Sequence, residues 1–383
     1  MKNHTYRTWA EIDLDALENN IKNIKSYVKS GTKVMAVVKA DAYGHGCPAA
    51  AKTLTQNGAD YLGVAFIDEA KQIRDAGINC PILVLGYTAA DDVEKMVELE
   101  VTPTVYHIDS AEKFSRAGEK YGKTVKIHIK IDTGMNRIGL PCDEKSLLTV
   151  EKISKLKNIE IEGIFTHFSC ADDKDRDYTD SQMKKFMWFN DSLEKMGISI
   201  PIKHACNSAG TINFPEYHFD MVRAGIILYG VKPSDYVDIS PLNLKPALTL
   251  KSMVTRVLKI SAGEKISYGG TFISEKDTTI AAISIGYADG YLRILSGKAP
   301  VLVNGETAKV VGRICMDQCI IDVTSVNNIK VEDEVIVAGG PADSPVSFDK
   351  LAEIAGTINY ELFCLIGKRV PRIYIKDGKI LDL

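Results

Sequence analysis

The sequence predicts an α/β chain: an N-terminal (β/α)8 TIM-type barrel followed by a C-terminal, mainly antiparallel β domain. Two observations carry this. Over the first two thirds, short β-branched runs alternate with amphipathic helical stretches, the signature of βα units around a parallel sheet. From about Pro246 the pattern changes to β-rich runs such as LTLKSMVTRVLKI, TIAAISIGYADG, APVLVNG and AKVVGRICMDQCIIDVT, with one helical segment expected from Phe348 to Ile358.

Taken in order, the chain first offers a helix from Asp13 to Val28. Leu14, Leu17, Ile21, Ile24 and Val28 recur there at steps of three and four, behind Asp13 as a cap. Eight strands follow, at Lys33 to Val38, Tyr61 to Phe66, Ile82 to Leu85, Thr102 to Tyr106, Val125 to Ile131, Ile161 to His167, Ile202 to Cys206 and Phe219 to Arg223. Eight βα units are the number that closes such a barrel. The boundary is expected near SPLNLKPAL, where two prolines and polar residues interrupt the barrel's last helix, giving a barrel over 1–244 and a β domain over 245–383.

Composition narrows the function. With 383 residues, 45% of them hydrophobic, the chain can bury a sizeable core. A net charge of -3 with both signs interspersed gives no electrostatic footprint for nucleic acid or an anionic membrane, so a small-molecule substrate is expected. The opening MKNHTYRTWAEIDLDAL lacks an apolar export segment and no later run approaches the length of a membrane span, which points to a cytoplasmic protein. Eight scattered cysteines suit a reducing compartment. Cys315 and Cys319 form the one close pair, without partners to complete a tetrahedral set, so no metal is expected.

A barrel places its functional polar residues at the C-terminal ends of the strands. Lys39, Lys130, Asp132, His167, Asn207, Ser208 and Arg223 all occupy such positions. Lys39 sits in MAVVKADAYGHG, where an apolar strand delivers an amine into a turn of small residues that a ligand could approach closely. A lysine there is suited to Schiff-base chemistry. The last two loops, HACNSAG and VRAGIILYG, are where such barrels hold phosphate, with Ser208 and the amides near Gly225 and Ile226 as donors. An aldehyde-bearing phosphate, pyridoxal 5'-phosphate, fits both halves.

With these segments in place, the chain resembles the alanine racemase family. AVVKADAYGHG, KIDTGMNRIG, THFSCAD, HACNSAG, DMVRAGIILYG, ISYGGTF, SIGYADGY, VGRICMDQCIIDV and INYELFCLIGKRVPRIY span it in family order. The resemblance implies an isomerase that interconverts L- and D-alanine by two-base proton transfer and supplies D-alanine for peptidoglycan. Lys39 would bind the cofactor covalently, and Tyr43, Ser208, Gly225, Ile226 and Tyr360 would hold its phosphate. Arg223 would face the pyridine nitrogen, with Arg137 near the phenolic oxygen and Lys130 a candidate for carbamylation. Tyr268 would be the second base, supplied by the partner of a homodimer. A free tyrosine has a pKa near 10, and His167 and Arg223 would support it. Met316 and Asp317 would lie at the substrate carboxylate, and Tyr287 and Tyr360 would narrow the entrance. Three rivals stay open at this point: a serine or broad-specificity racemase, a pyridoxal-phosphate decarboxylase, and a non-catalytic pyridoxal-phosphate-binding barrel.

Overall fold

Runs of valine, isoleucine and leucine buried on both faces form the expected parallel strands, as βα architecture requires. In the computed structural model, which describes residues 6–341 and 343–381, the chain separates into two units. One consists of Leu17–Ala42 and Cys47–Leu244. The other takes the N-terminal segment to Ala16, Tyr43–Gly46 and the residues from Lys245 onward.

Before the barrel come strand β1 (Thr8–Asp13) and helix α1 (Leu14–Tyr27). The barrel strands are β2 (Lys33–Val37), β3 (Tyr61–Val64), β4 (Ile82–Val84), β5 (Thr102–Val105) and β6 (Val125–Asp132). After the two-residue β7 (Leu140–Pro141) come β8 (Ile159–Phe165), β9 (Ile202–His204) and β10 (Met221–Ala224). They pair in parallel in the order β10-β2-β3-β4-β5-β6-β8-β9, with β7 beside β6. Between β9 and β10 the ring is closed by the Asp220 N–H on the Lys203 carbonyl at 3.1 Å and the Arg223 N–H on the Cys206 carbonyl at 2.9 Å. All eight predicted strands are present.

In the second unit, β11 (Leu248–Ile260) is followed by a hairpin of β12 (Lys265–Ile266) and β13 (Phe272–Ile273), then β14 (Thr278–Ile283), β15 (Pro300–Val303), β16 (Glu306–Val311), β17 (Cys319–Asp322) and β18 (Glu334–Ala338). β19 (Arg372–Lys376) and β20 (Lys379–Leu381) end the series. The sheet order is β14-β17-β16-β15-β18-β11-β1-β19-β20, and β11 also pairs with β14. The register of β11 against β14 shifts between Val254 and Arg256. Such a bulge bends a strand, so the first half of β11 pairs with β1 and β18 while the second half reaches β14.

Three expectations are corrected. The barrel does not begin at residue 1, because β1 lies antiparallel to β11 and parallel to β19 in the second sheet. Nor does a barrel helix end near 244: among the described residues β10 is followed by 3-10 turns alone, at Ile226–Tyr229 and Ser240–Leu242. Helix α1 stands in that place, with the Asn20 amide on the Leu228 carbonyl at 2.9 Å and the Asn19 amide on the Asn243 carbonyl at 3.0 Å. Its cap is the predicted one, the Ala16 N–H reaching Oδ1 of Asp13 at 2.9 Å. Lastly, the helix expected from Phe348 to Ile358 stops at Ala355, where Gly356 turns left-handed at φ 71°, and a second helix follows at Asn359–Leu365.

Inside the barrel, Gly163 of β8 faces the imidazole of His128 so closely that a Cβ at 163 would lie 2.5 Å from the ring. Gly163→Ala is therefore expected to overpack the barrel, costing roughly 1–3 kcal/mol and lowering the thermal midpoint. A melting curve superimposable on that of the parent would contradict this packing.

Candidate active site

Lys39 leaves β2 into a run of four non-glycine residues in the left-handed region, Ala40 (φ 53°), Asp41 (54°), Ala42 (54°) and Tyr43 (52°). Each such residue costs roughly 1–2 kcal/mol, so the turn needs anchors. Glu69, buried, provides the main one: its two carboxylate oxygens accept the N–H groups of Ala40 and Ala65, both at 2.7 Å. Oδ1 of Asp41 accepts the Cys47 N–H at 2.7 Å. The glycines behind this turn are not there for a ligand. A Cβ at Gly44 would lie 2.3 Å from the Phe363 carbonyl and one at Gly46 would lie 1.8 Å from the Tyr374 hydroxyl, so both positions are packed against protein within the second unit.

Strand β6 reads VKIHIKID, and its period of two places Lys126, His128 and Lys130 on one face, with isoleucines on the other. Lys130 is 4% exposed, its Nζ 4.9 Å from the centre of the Phe165 ring. Burial, and then the positive charges of Arg223 and Arg137, hold its amine far below the usual lysine range. Asp132, at the strand end, turns back on its own loop and accepts the N–H groups of Gly134 at 2.9 Å and Asn136 at 3.0 Å. Exposed Arg137 rides on that loop.

Arg223 of β10 is 3% exposed. Its Nη1 donates to Nδ1 of His204 at 2.9 Å, and its Nη2 to the carbonyls of Thr166 (2.8 Å) and Ala205 (2.7 Å) and to Nδ1 of His167 (3.0 Å). Burial pulls the guanidinium down to about 10, still a cation at neutral pH. Burial and the adjacent Arg223 push His167 and His204 well below the ordinary imidazole value, so both are neutral. A guanidinium only donates, hence each Nδ1 accepts and each proton sits on Nε2. Next along, Oγ of Ser208 accepts the Gly225 N–H at 2.9 Å, and Ile226 opens the following turn. Because β10 pairs with β2, Arg223 lies on, and Gly225 and Ile226 directly after, the strand beside the one that leads to Lys39. Asn207 caps its own short helix through the Gly210 N–H at 2.9 Å.

In the second unit, the rings of Tyr43 and Tyr360 stand 6.1 Å apart, and burial raises the Tyr43 hydroxyl well above its usual value. Tyr268 opens the turn at the tip of the β12–β13 hairpin and is 71% exposed, after Ser267 at φ 60°. Three loops are laced together here. Oγ of Ser267 donates to the Arg313 carbonyl at 2.6 Å, Tyr287 N–H to the Cys315 carbonyl at 3.0 Å, and Ala288 N–H to the Met316 carbonyl at 3.1 Å. Arg369 ties two of them, donating from Nε to buried Asp289 at 2.8 Å and from Nη2 to Asp317 at 2.6 Å. The Asp317 carboxylate is thus already paired. Sequence reading passed over Glu69, His128, Glu162, His204 and Arg369. The alternation of Lys126, His128 and Lys130 with isoleucines was the available signal for an inward polar face.

Residues 12–233 match the family model described as alanine racemase, N-terminal domain, and residues 247–374 that described as alanine racemase, C-terminal domain. Alanine racemase 1 of Clostridium acetobutylicum is 49% identical over 100% of this chain and 99% of its own length. Alanine racemase of Methanococcus maripaludis is 51% identical over 96% and 98% respectively. Among solved structures, alanine racemase from Clostridium difficile superposes with a TM-score of 0.95 at 42% identity, covering 99% of this chain and 98% of that one. One from Bartonella henselae, described with covalently bound pyridoxal phosphate, superposes at 0.85 with 31% identity, covering 97% and 100%. Among the described residues no helix is long and apolar enough to cross a membrane.

The neutral imidazoles set a pH dependence. Below about pH 6.5 the unfolded chain binds protons that native His167 and His204 refuse, so stability present at neutral pH is lost as pH falls, by up to ~1.4 kcal/mol per unit for each. Urea unfolding midpoints taken from pH 7.5 to 5 should decline steadily below 6.5; a flat profile would mean that both imidazoles are charged in the native state.

Proposed function

The chain belongs to the alanine racemase family, and from that premise we propose that it interconverts L- and D-alanine with two bases, Lys39 on one face of the substrate Cα and Tyr268 of the partner subunit on the other. Inversion requires a proton to leave one face and another to arrive on the opposite one, which a single lysine serves poorly. The observation that carries the reading is Arg223: a buried cation on neutral acceptors, on the strand next to the one that ends in Lys39.

The donor set fits pyridoxal phosphate. A lysine amine suits its carbonyl, and the Ser208 hydroxyl, held by the Gly225 N–H, suits a phosphate together with the Ile226 amide; the family resemblance would add Tyr43 and Tyr360. Bound there, the cofactor would supply an electron sink that loosens the Cα proton. Arg223 keeps its own protons, so a ring nitrogen facing it remains an acceptor and the sink is weak. A weak sink favours prompt return of the proton over side reactions. His167, its Nδ1 taken by Arg223, has its Nε2–H left to donate to the tyrosine that accepts a proton. The uncharged form of Lys130, favoured by its burial, would add carbon dioxide, releasing a proton and leaving a carbamate anion for Arg137 to pair with. Arg137 would then be the residue that holds substrate and cofactor oxygens. At the substrate carboxylate, Met316 and Asp317 act through their backbone, since Arg369 occupies the Asp317 side chain.

Exposed aromatic and apolar side chains support a homodimer with composite sites. Tyr268 (71%), Met316 (53%) and Tyr287 (43%) stand out on the linked loops of one unit. A twofold pair would place this patch of each chain at the other's Lys39. Tyr287 and Tyr360 narrow the entrance and favour a methyl side chain over a hydroxymethyl one. The D-alanine formed would serve peptidoglycan synthesis.

Lys39→Ala should abolish covalent attachment of pyridoxal phosphate, read by mass after borohydride reduction, and lower kcat by at least ~10²–10⁴-fold. Attachment with undiminished turnover would remove Lys39 from the role. Tyr268→Phe should keep the cofactor bound and retain solvent-proton exchange at Cα for one enantiomer while losing it for the other. Equal loss for both enantiomers would count against a two-base division.

A further inference from the structure

A buried guanidinium needs a counter-charge, yet the partners of Arg223 are carbonyls and neutral imidazoles. A carboxylate lies further along the His204 branch. Nδ1 of His204 accepts from Arg223, so its proton is on Nε2, which meets Nδ1 of His128 at 2.9 Å. His128 in turn carries its proton on Nε2, which meets Oε2 of Glu162 at 3.3 Å. Both imidazoles are 0% exposed and Gly163 leaves the space in which the His128 ring lies. Oε1 of Glu162 accepts from Lys126 at 2.7 Å, and Tyr61 lies beside this carboxylate. The direction of every link is forced from both ends, because a guanidinium cannot accept and a carboxylate cannot donate. Burial favours the neutral carboxyl, but the bonds from His128 and Lys126, with Tyr61 nearby, outweigh it and hold Glu162 at about 2.

We infer that Glu162 is a positioning residue for Arg223: through His128 and His204 it supplies the guanidinium with a counter-charge two imidazoles away and fixes the direction of the protons between them. Distance is the point of the arrangement. A carboxylate against Arg223 would cancel its field at whatever the guanidinium faces, whereas one at the end of a polarised chain secures the cation and leaves that field in place. This rests on the reading that Arg223 faces the cofactor ring. The charged and titratable groups around the chain are Lys126 and Tyr61 at Glu162, Lys126 and Arg223 near His128, and Lys130 and Arg223 near His204.

The test is the imidazole nitrogen spectrum of the full chain labelled with 15N-histidine, with pyridoxal phosphate bound and again with it removed. In the parent protein, His128 and His204 should both show the Nε2–H tautomer at pH 7. Glu162→Gln should give mixed tautomers at both residues and lower kcat for alanine about tenfold with KM within about twofold, the loss expected when a charge-assisted bond becomes a neutral one. Glu162→Asp, which keeps the charge, should restore the Nε2–H pattern and bring kcat to within about threefold of the parent. A parental imidazole pattern in Glu162→Gln overturns the inference, as does an equal loss of kcat in Glu162→Asp. Should Glu162→Gln fail to fold by far-ultraviolet circular dichroism, the pattern in Glu162→Asp decides alone, retention supporting the inference and scrambling overturning it. Failure of pyridoxal phosphate to attach to the parent would instead sink the cofactor reading, and the comparison on stripped protein would still be readable.

Discussion

Burying the Arg223 guanidinium without a carboxylate against it is the constraint from which the barrel interior follows. A cation out of water must find an acceptor for each proton it points inward, and here the carbonyls of Thr166 and Ala205 and two imidazoles provide them. Those imidazoles must be neutral and must hold their protons on Nε2. That requirement propagates inward to His128 and Glu162 and outward to His167. Burial, with the same positive field added, pulls the Lys130 amine well below the usual lysine range. The bonds of one residue on β10 thereby reach His204 on β9 and His167 just beyond β8, and through His204 the chain runs on to His128 on β6 and Glu162 on β8.

A second constraint is conformational. The turn after Lys39 runs left-handed through four residues with side chains, a shape the isolated peptide would not hold. Glu69 pins it by taking two N–H groups with one carboxylate, and these come from the ends of neighbouring strands, Ala40 after β2 and Ala65 after β3. In the second unit, packing serves presentation. Arg369, Asp289 and the backbone bonds among the 267, 287 and 316 loops fix a base from which Tyr268 stands free. The long, bent β11 and its closure onto β14 give that base a sheet with few loose edges.

The sequence by itself determined the elements and the order of the chemistry. Short β-branched runs located all eight barrel strands and period-3.6 hydrophobicity located α1, because burial of one face or of both leaves a local mark. Motif positions placed Lys39, His167, Ser208 and Arg223 at strand ends for the same reason. What only the tertiary structure decided depends on partners far along the chain. β1 reads like any short strand, and only pairing with β11 and β19 assigns it to the second sheet. The glycines at 44 and 46 read as room for a ligand, until Phe363 and Tyr374 prove to fill that space. Glu69 and Glu162 read as ordinary charges on a helix and a strand. Their roles arise from backbone amides and imidazoles brought to them by folding, and a hydrogen bond between distant residues leaves no periodic trace in the chain.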